Sequence, residues 1–158
     1  MKPDILLVED DKSVAYTLTM ALGRAGFSVR LAEDGDIGWK EFRSNQPDLV
    51  ISDIRMPGMD GIELLRRIKA ISPDMDVILL TGHGDLSSAK QAVELGALRY
   101  LEKPINQMSD LVGSVKTATM RKRLARDREL IDRISFDLSG RVSLDEVFDR
   151  FLDHIMTA

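Results

Sequence analysis

The chain has 158 residues, room for one domain of roughly 100–150 residues and an appendage but not for two full domains. With 44% apolar and 30% charged residues, no apolar run approaching the ~20 needed to span a bilayer and no signal-peptide pattern after Met1, it reads as a globular cytoplasmic protein with no membrane contact. The lack of cysteine excludes a disulfide frame and thiolate metal ligation, and a net charge of −4 argues against nucleic-acid binding by this segment.

Ile5-Leu6-Leu7-Val8 is too short for a helix and does not alternate, which predicts a strand buried on both faces. It runs into Glu9, Asp10 and Asp11, adjacent carboxylates that repel one another unless a cation or hydrogen-bond donors hold them in place. The cluster therefore asks for a metal ion or a lysine. Val14, Leu18, Ala21, Leu22 and Ala25 form a helical stripe over residues 13–25 that Gly26 ends, and residues 27–32 read as a short strand. A second helix is predicted over about residues 36–43, where Ile37, Trp39 and Phe42 leave its buried face poorly defined.

Residues 48–53, "DLVISD", repeat the opening grammar of an apolar run ending in an acid. Helices are predicted over 61–71, with Ile62, Leu65 and Ile68 on one side, and over 86–95, closed by Gly96. Between and after them, Val77 to Leu80 ends in Thr81, and Leu98 to Leu101 leads to Glu102-Lys103-Pro104. Five alternating strand–helix units imply an α/β fold with a parallel sheet, helices on both faces and right-handed crossovers. Ligands of such sheets bind at the carboxyl ends of the strands. Glu9, Asp10, Asp53, Thr81 and Lys103 all fall there, a set that suits a hard divalent cation such as Mg²⁺ beside a second anion held by the lysine.

These residues resemble the receiver domain of two-component response regulators, through "ILLVEDD", "VISDIRMPGMDGIELL", "VILLTGHGD" and "ALRYLEKP", over roughly residues 1–120. The resemblance implies a flavodoxin-like, doubly wound sheet of order 2-1-3-4-5 and Mg²⁺-dependent phosphoryl transfer from a histidine kinase or phosphotransfer protein to an aspartate. By position, Asp53 looks like the phosphoacceptor, and Asp10, Asp53 and the Arg55 backbone carbonyl like direct metal ligands. Glu9 looks like a ligand acting through water. Thr81 and Lys103 would bind phosphoryl oxygens, Tyr100 with Thr81 would be the conformational switch, and the Lys103–Pro104 bond would be cis. Arg55 and His83, two residues beyond Asp53 and Thr81, would tune how fast water removes the phosphoryl group, although His83 by itself reads as an exposed loop residue. Turnover of an outside substrate is not implied, so the chain reads as a phosphoacceptor and not as an enzyme.

Two rival readings are weaker. A phosphohydrolase of the haloacid-dehalogenase type needs an Asp-x-Asp at the end of its first strand, whereas the acids here are adjacent and Asp53 is followed by Ile54-Arg55. A nucleotide-binding domain needs a glycine-rich phosphate loop after a strand, and none is present.

From Asp110 onward the residues favour helix, with Met120, Leu124, Ile131, Ile134 and Leu138 in heptad spacing and Asp127 interrupting the seam. Residues 121–158 are therefore expected to be a helical, coiled-coil-like extension that makes a homodimer, against the alternative of a helix folded back on its own domain. Gly140 is expected to end that helix, and Ser143 to Glu146 form a capping box for another whose apolar stripe includes Leu144, Phe148, Phe151 and Ile155. His154 on it reads as solvated surface. The ending resembles linkers that lead into GAF-type sensor domains or cyclic-di-GMP phosphodiesterase domains of the EAL kind, and reads as the start of a truncated output or sensor domain.

Overall fold

The computed structural model describes residues 2–82, 86–105 and 108–141, the last seven of these by backbone alone. The expected helix over 143–156, His83 and His154 lie outside the described residues. The elements are β1 (Asp4–Val8), α1 (Lys12–Arg24), β2 (Ser28–Ala32), α2 (Gly35–Ser44), β3 (Leu49–Asp53), α3 (Gly61–Ile71), β4 (Val77–Thr81), α4 (Leu86–Glu94), β5 (Arg99–Glu102) and α5 (Met108–Arg141). All strand pairs are parallel, as the alternating elements imply, and the order is β2-β1-β3-β4-β5, as the receiver resemblance implies.

The unbroken apolar runs have a simple cause. Successive residues of a strand point to opposite faces, and here both faces are covered. Leu6, Val8, Val50, Val77 and Leu79 join one core cluster with Phe42 of α2, Leu64, Leu65 and Ile68 of α3 and Ala92 of α4. Ile5, Leu7, Leu49, Ile51, Ile78 and Leu80 join the other, with Leu18 and Leu22 of α1 and Leu111, Val115 and Ala118 of α5. Gly26 and Gly96, expected to stop α1 and α4, have φ of 97° and 76°, a left-handed conformation that costs glycine least.

Some boundaries and faces differ from expectation. Helix α2 buries Gly35, Gly38 and Phe42 while Ile37 is exposed, so its inner face is largely glycine and carries no hydrophobic signal. Strand β5 lies one residue later than expected, and α5 begins at Met108 and continues through Gly140 to Arg141 instead of ending at the glycine. A glycine inside a helix costs about 1 kcal/mol and does not by itself terminate it. The chain divides into two compact units, Met1–Thr119 and Met120–Ala158. Within the second, Met120, Leu124, Leu130, Ile131 and Ile134 are exposed along the helix.

Candidate functional site

Sheet register decides which residues meet. Val8 pairs with Ser52, Asp53 with Leu80 and Thr81 with Glu102, so the residues that follow these pairs emerge together at the carboxyl edge of the sheet. One carboxylate oxygen each from Glu9, Asp10 and Asp53 lies within 4.8 Å of the others. The third acid of the opening run, Asp11, turns away. Its carboxylate caps α1 by accepting from the Ser13 amide at 2.8 Å and the Val14 amide at 3.0 Å, and these bonds hold its pKa below the ordinary range. An acid one residue before a helical stripe is a recognisable capping signal, masked here by the two acids before it.

Lys103 supplies the counter-charge that the carboxylates require. Its ammonium donates to Glu9 Oε1 at 3.0 Å and Oε2 at 2.9 Å, and lies 3.0 Å from Asp53 Oδ2. Burial, the largest influence on Glu9, pushes its carboxyl above the usual range. The hydrogen bond and charge of Lys103 oppose that rise, and the Asp53 charge adds to it. For Lys103, burial disfavours the ammonium, but its bonds to Glu9 and Asp53 outweigh this and the pKa is raised. The lysine is therefore a fixed cation at neutral pH.

Asp53 is 5% exposed and held at both oxygens, since Oδ1 accepts from the Ile54 amide at 2.8 Å while Oδ2 faces Lys103. Ser52, a buried neighbour that sequence reasoning passed over, donates its hydroxyl to the Asp53 carbonyl at 2.8 Å. Thr81 is buried at the end of β4, and its carbonyl accepts from the Lys103 amide at 2.6 Å, tying the two strand ends together. The Lys103–Pro104 bond is cis. Tyr100 packs against the α4 side of the core, and its buried hydroxyl has no hydrogen-bond partner among the described residues. Arg55 is exposed in the loop after β3, which Met56 and Met59 anchor to the core.

The donor set fits Mg²⁺. The three carboxylates are hard oxygen ligands, and their 4.8 Å spread is close to the ~4.2 Å that an octahedral shell of oxygens at ~2.1 Å spans. No helix among the described residues is long and apolar enough to cross a membrane.

Comparison with known proteins agrees with this geometry. The family model for the response regulator receiver domain matches residues 5–116. The C4-dicarboxylate transport transcriptional regulatory protein DctD of Rhizobium meliloti is 34% identical over 97% of this chain, which spans 34% of DctD. Transcriptional regulatory protein FixJ of Bradyrhizobium diazoefficiens is 34% identical over 90% of this chain and 67% of its own length. Among solved structures, a response regulator receiver domain protein from Clostridium thermocellum superposes with a TM-score of 0.72 at 38% identity, covering 78% of this chain and 98% of that one. A CheY-like receiver from Methanospirillum hungatei JF-1 gives 0.74 at 27% identity, covering 79% and 99%. The phosphohydrolase reading finds no support in these matches. With the sheet order, the acidic edge and the lysine in agreement, the chain belongs to the response regulator receiver domain family.

Proposed function

We propose that this domain takes a phosphoryl group onto Asp53 from the phosphohistidine of a histidine kinase or phosphotransfer protein. The observation that carries the reading is the lysine bridge: one half-buried ammonium contacts both Glu9 and Asp53 beside a third carboxylate, Asp10. An Asp53 oxygen forms the new bond to phosphorus, the bond from phosphorus to the imidazole nitrogen breaks, and the imidazole leaves as a neutral ring after taking a proton. The acyl phosphate then lies within reach of the Lys103 ammonium and the Thr81 hydroxyl. Glu9, Asp10, Asp53 and the Arg55 carbonyl would hold Mg²⁺, which when bound neutralises charge on the phosphoryl oxygens. Arg55 and His83 are assigned to the lifetime of the phosphorylated state, and hydrolysis of its own acyl phosphate is the only turnover we assign.

The readout is assigned to Tyr100 and Thr81. A buried hydroxyl with no partner costs about 1–3 kcal/mol, a penalty that an outward orientation of the Tyr100 ring would relieve. A small phosphodonor such as acetyl phosphate tests the reaction. Intact protein should gain one phosphoryl group in the presence of Mg²⁺ and none with chelator; equal uptake in both would contradict the metal-assisted mechanism.

Residues 1–120 are the receiver in this reading, and 121–158 a helical extension that pairs with a second copy and leads to an output. DNA binding belongs to the name of the relative NtrC, of which this chain spans 22%, and is not assigned to this segment. The exposed seam of Met120, Leu124, Ile131 and Ile134 supports pairing, and Asp127, also exposed, sits at its interrupted position. Asp127→Leu should lower the dimer dissociation constant about tenfold or more, by burying an apolar side chain worth ~1.5–3 kcal/mol. Sedimentation of the two proteins across concentration reads this directly. A dimer weakened by the substitution would mean that the register is wrong.

A further inference from the structure

The loop of residues 54–60 carries Arg55 and is tied off at its base, where the Gly61 amide donates to the Ile54 carbonyl at 2.9 Å. Its first residue is fixed to β4 by the Ile54 amide donating to the Leu80 carbonyl at 2.9 Å, and Met56 and Met59 are buried. Glycines allow this closure from two sides. At Gly61 an added Cβ would lie 2.9 Å from the Asp53 carbonyl carbon and nearer still to its oxygen. At Gly35, the first residue of α2, it would lie 2.9 Å from the Met59 carbonyl carbon and again nearer to the oxygen. These are backbone atoms, which cannot rotate aside. The start of α2 is itself held, because the Asp34 carboxylate accepts from the Ile37 amide at 2.7 Å and the Asp34 carbonyl from the Gly38 amide at 2.9 Å.

We propose that Gly35 is a positioning residue for the metal-binding edge: its missing side chain lets the α2 backbone close on Met59, and this contact keeps the Arg55 carbonyl in place beside Asp53. The inference rests on the reading of Glu9, Asp10, Asp53 and the Arg55 carbonyl as the Mg²⁺ site. A Cβ at position 35 forces the Met59 carbonyl away by about 1 Å to regain van der Waals contact. The loop has little slack to absorb that shift, since the bond between Gly61 and Ile54 pins both ends and Arg55 follows directly on the pinned residue.

Gly35→Ala should therefore weaken Mg²⁺ binding about tenfold or more, the scale typical of losing a residue that orients metal ligands. Isothermal titration of the full chain measures it. Leu22→Val, a fully buried position in the other core cluster, which contains no residue of the loop, is the control for mere destabilisation, and should lower the melting temperature while leaving Mg²⁺ affinity within about twofold. Equal weakening in both variants, or none in Gly35→Ala, overturns the proposal. Should Gly35→Ala fail to fold, an NMR titration of the wild type decides the matter: Mg²⁺ should move the Gly35 and Met59 amides with the same apparent Kd as Arg55, and an unmoved Gly35 overturns the inference. Absence of any Mg²⁺ response in the wild type would instead remove the metal site itself, and this inference with it.

Discussion

Asp53→Asn is expected to lose all phosphoryl uptake while keeping the fold. The substitution leaves an amide of nearly the same shape, whose oxygen can still accept from the Ile54 amide, so the packing around a side chain in a 5%-exposed residue is preserved. What disappears is the anionic nucleophile. An amide oxygen does not form an acyl phosphate, and no other described carboxylate combines this burial with contact to Lys103 except Glu9, whose two oxygens both face that ammonium. The loss should be complete in phosphorylation by acetyl phosphate, with melting temperature changed by only a few degrees. The neutral side chain relieves one carboxylate from an acidic cluster, so the sign of that small change is expected to be towards stability. Residual labelling at the wild-type rate would show that the phosphoryl group goes elsewhere.

Lys103→Ala is expected to separate two properties that are coupled in the wild type. The lysine is the counter-ion for a carboxylate whose side chain has no solvent exposure and for a second one that is nearly buried. Removing one partner of a fully buried ion pair costs about 3–5 kcal/mol, and because the Lys103 side chain retains 16% exposure the loss here should be smaller, about 1–3 kcal/mol. The variant protein should therefore melt well below the wild type without metal. Mg²⁺ should recover much of the difference, since the site has become more negative and a cation that binds only the folded form stabilises it by mass action. Phosphorylation should slow and its effect on Tyr100 fluorescence or resonance should fade, because the ammonium that would meet the phosphoryl oxygen is gone. A variant that binds Mg²⁺ more weakly than wild type would place Lys103 in the metal site and not opposite it.

The chemistry of this site was far more visible in the sequence than its support. Strands buried on both faces are written as unbroken apolar runs, so Ile5 to Val8, Leu49 to Ile51 and Val77 to Leu80 could be placed, and the residues ending them followed. From the sequence alone Lys103 is a cation that awaits an incoming anion. The structure shows that it already has two, Glu9 and Asp53, and the first pairing spans 94 residues, which no local pattern encodes. Helix α2 was blurred because two of its three buried residues are Gly35 and Gly38, which register as gaps in a hydrophobic stripe although Gly35 closes on the Met59 backbone and Gly38 on the Val8 side chain. For the same reason the bracing of the 54–60 loop by Gly35 and Gly61 was invisible: a residue that acts by having no side chain leaves no periodic signal. Asp11 was hidden differently, as one acid among three whose role is set by where the helix begins.

Chemical mapping of the phosphorylated residue tests the central claim most directly. The wild-type chain, treated with acetyl phosphate and Mg²⁺ and then reduced with borohydride, should carry a single homoserine at position 53 in peptide mass spectra, because reduction cleaves an acyl phosphate at its carbonyl carbon. Homoserine at Asp10 or Asp11 in place of position 53, or a phosphoryl group retained on a hydroxyl or imidazole through the reduction, would contradict the assignment of Asp53.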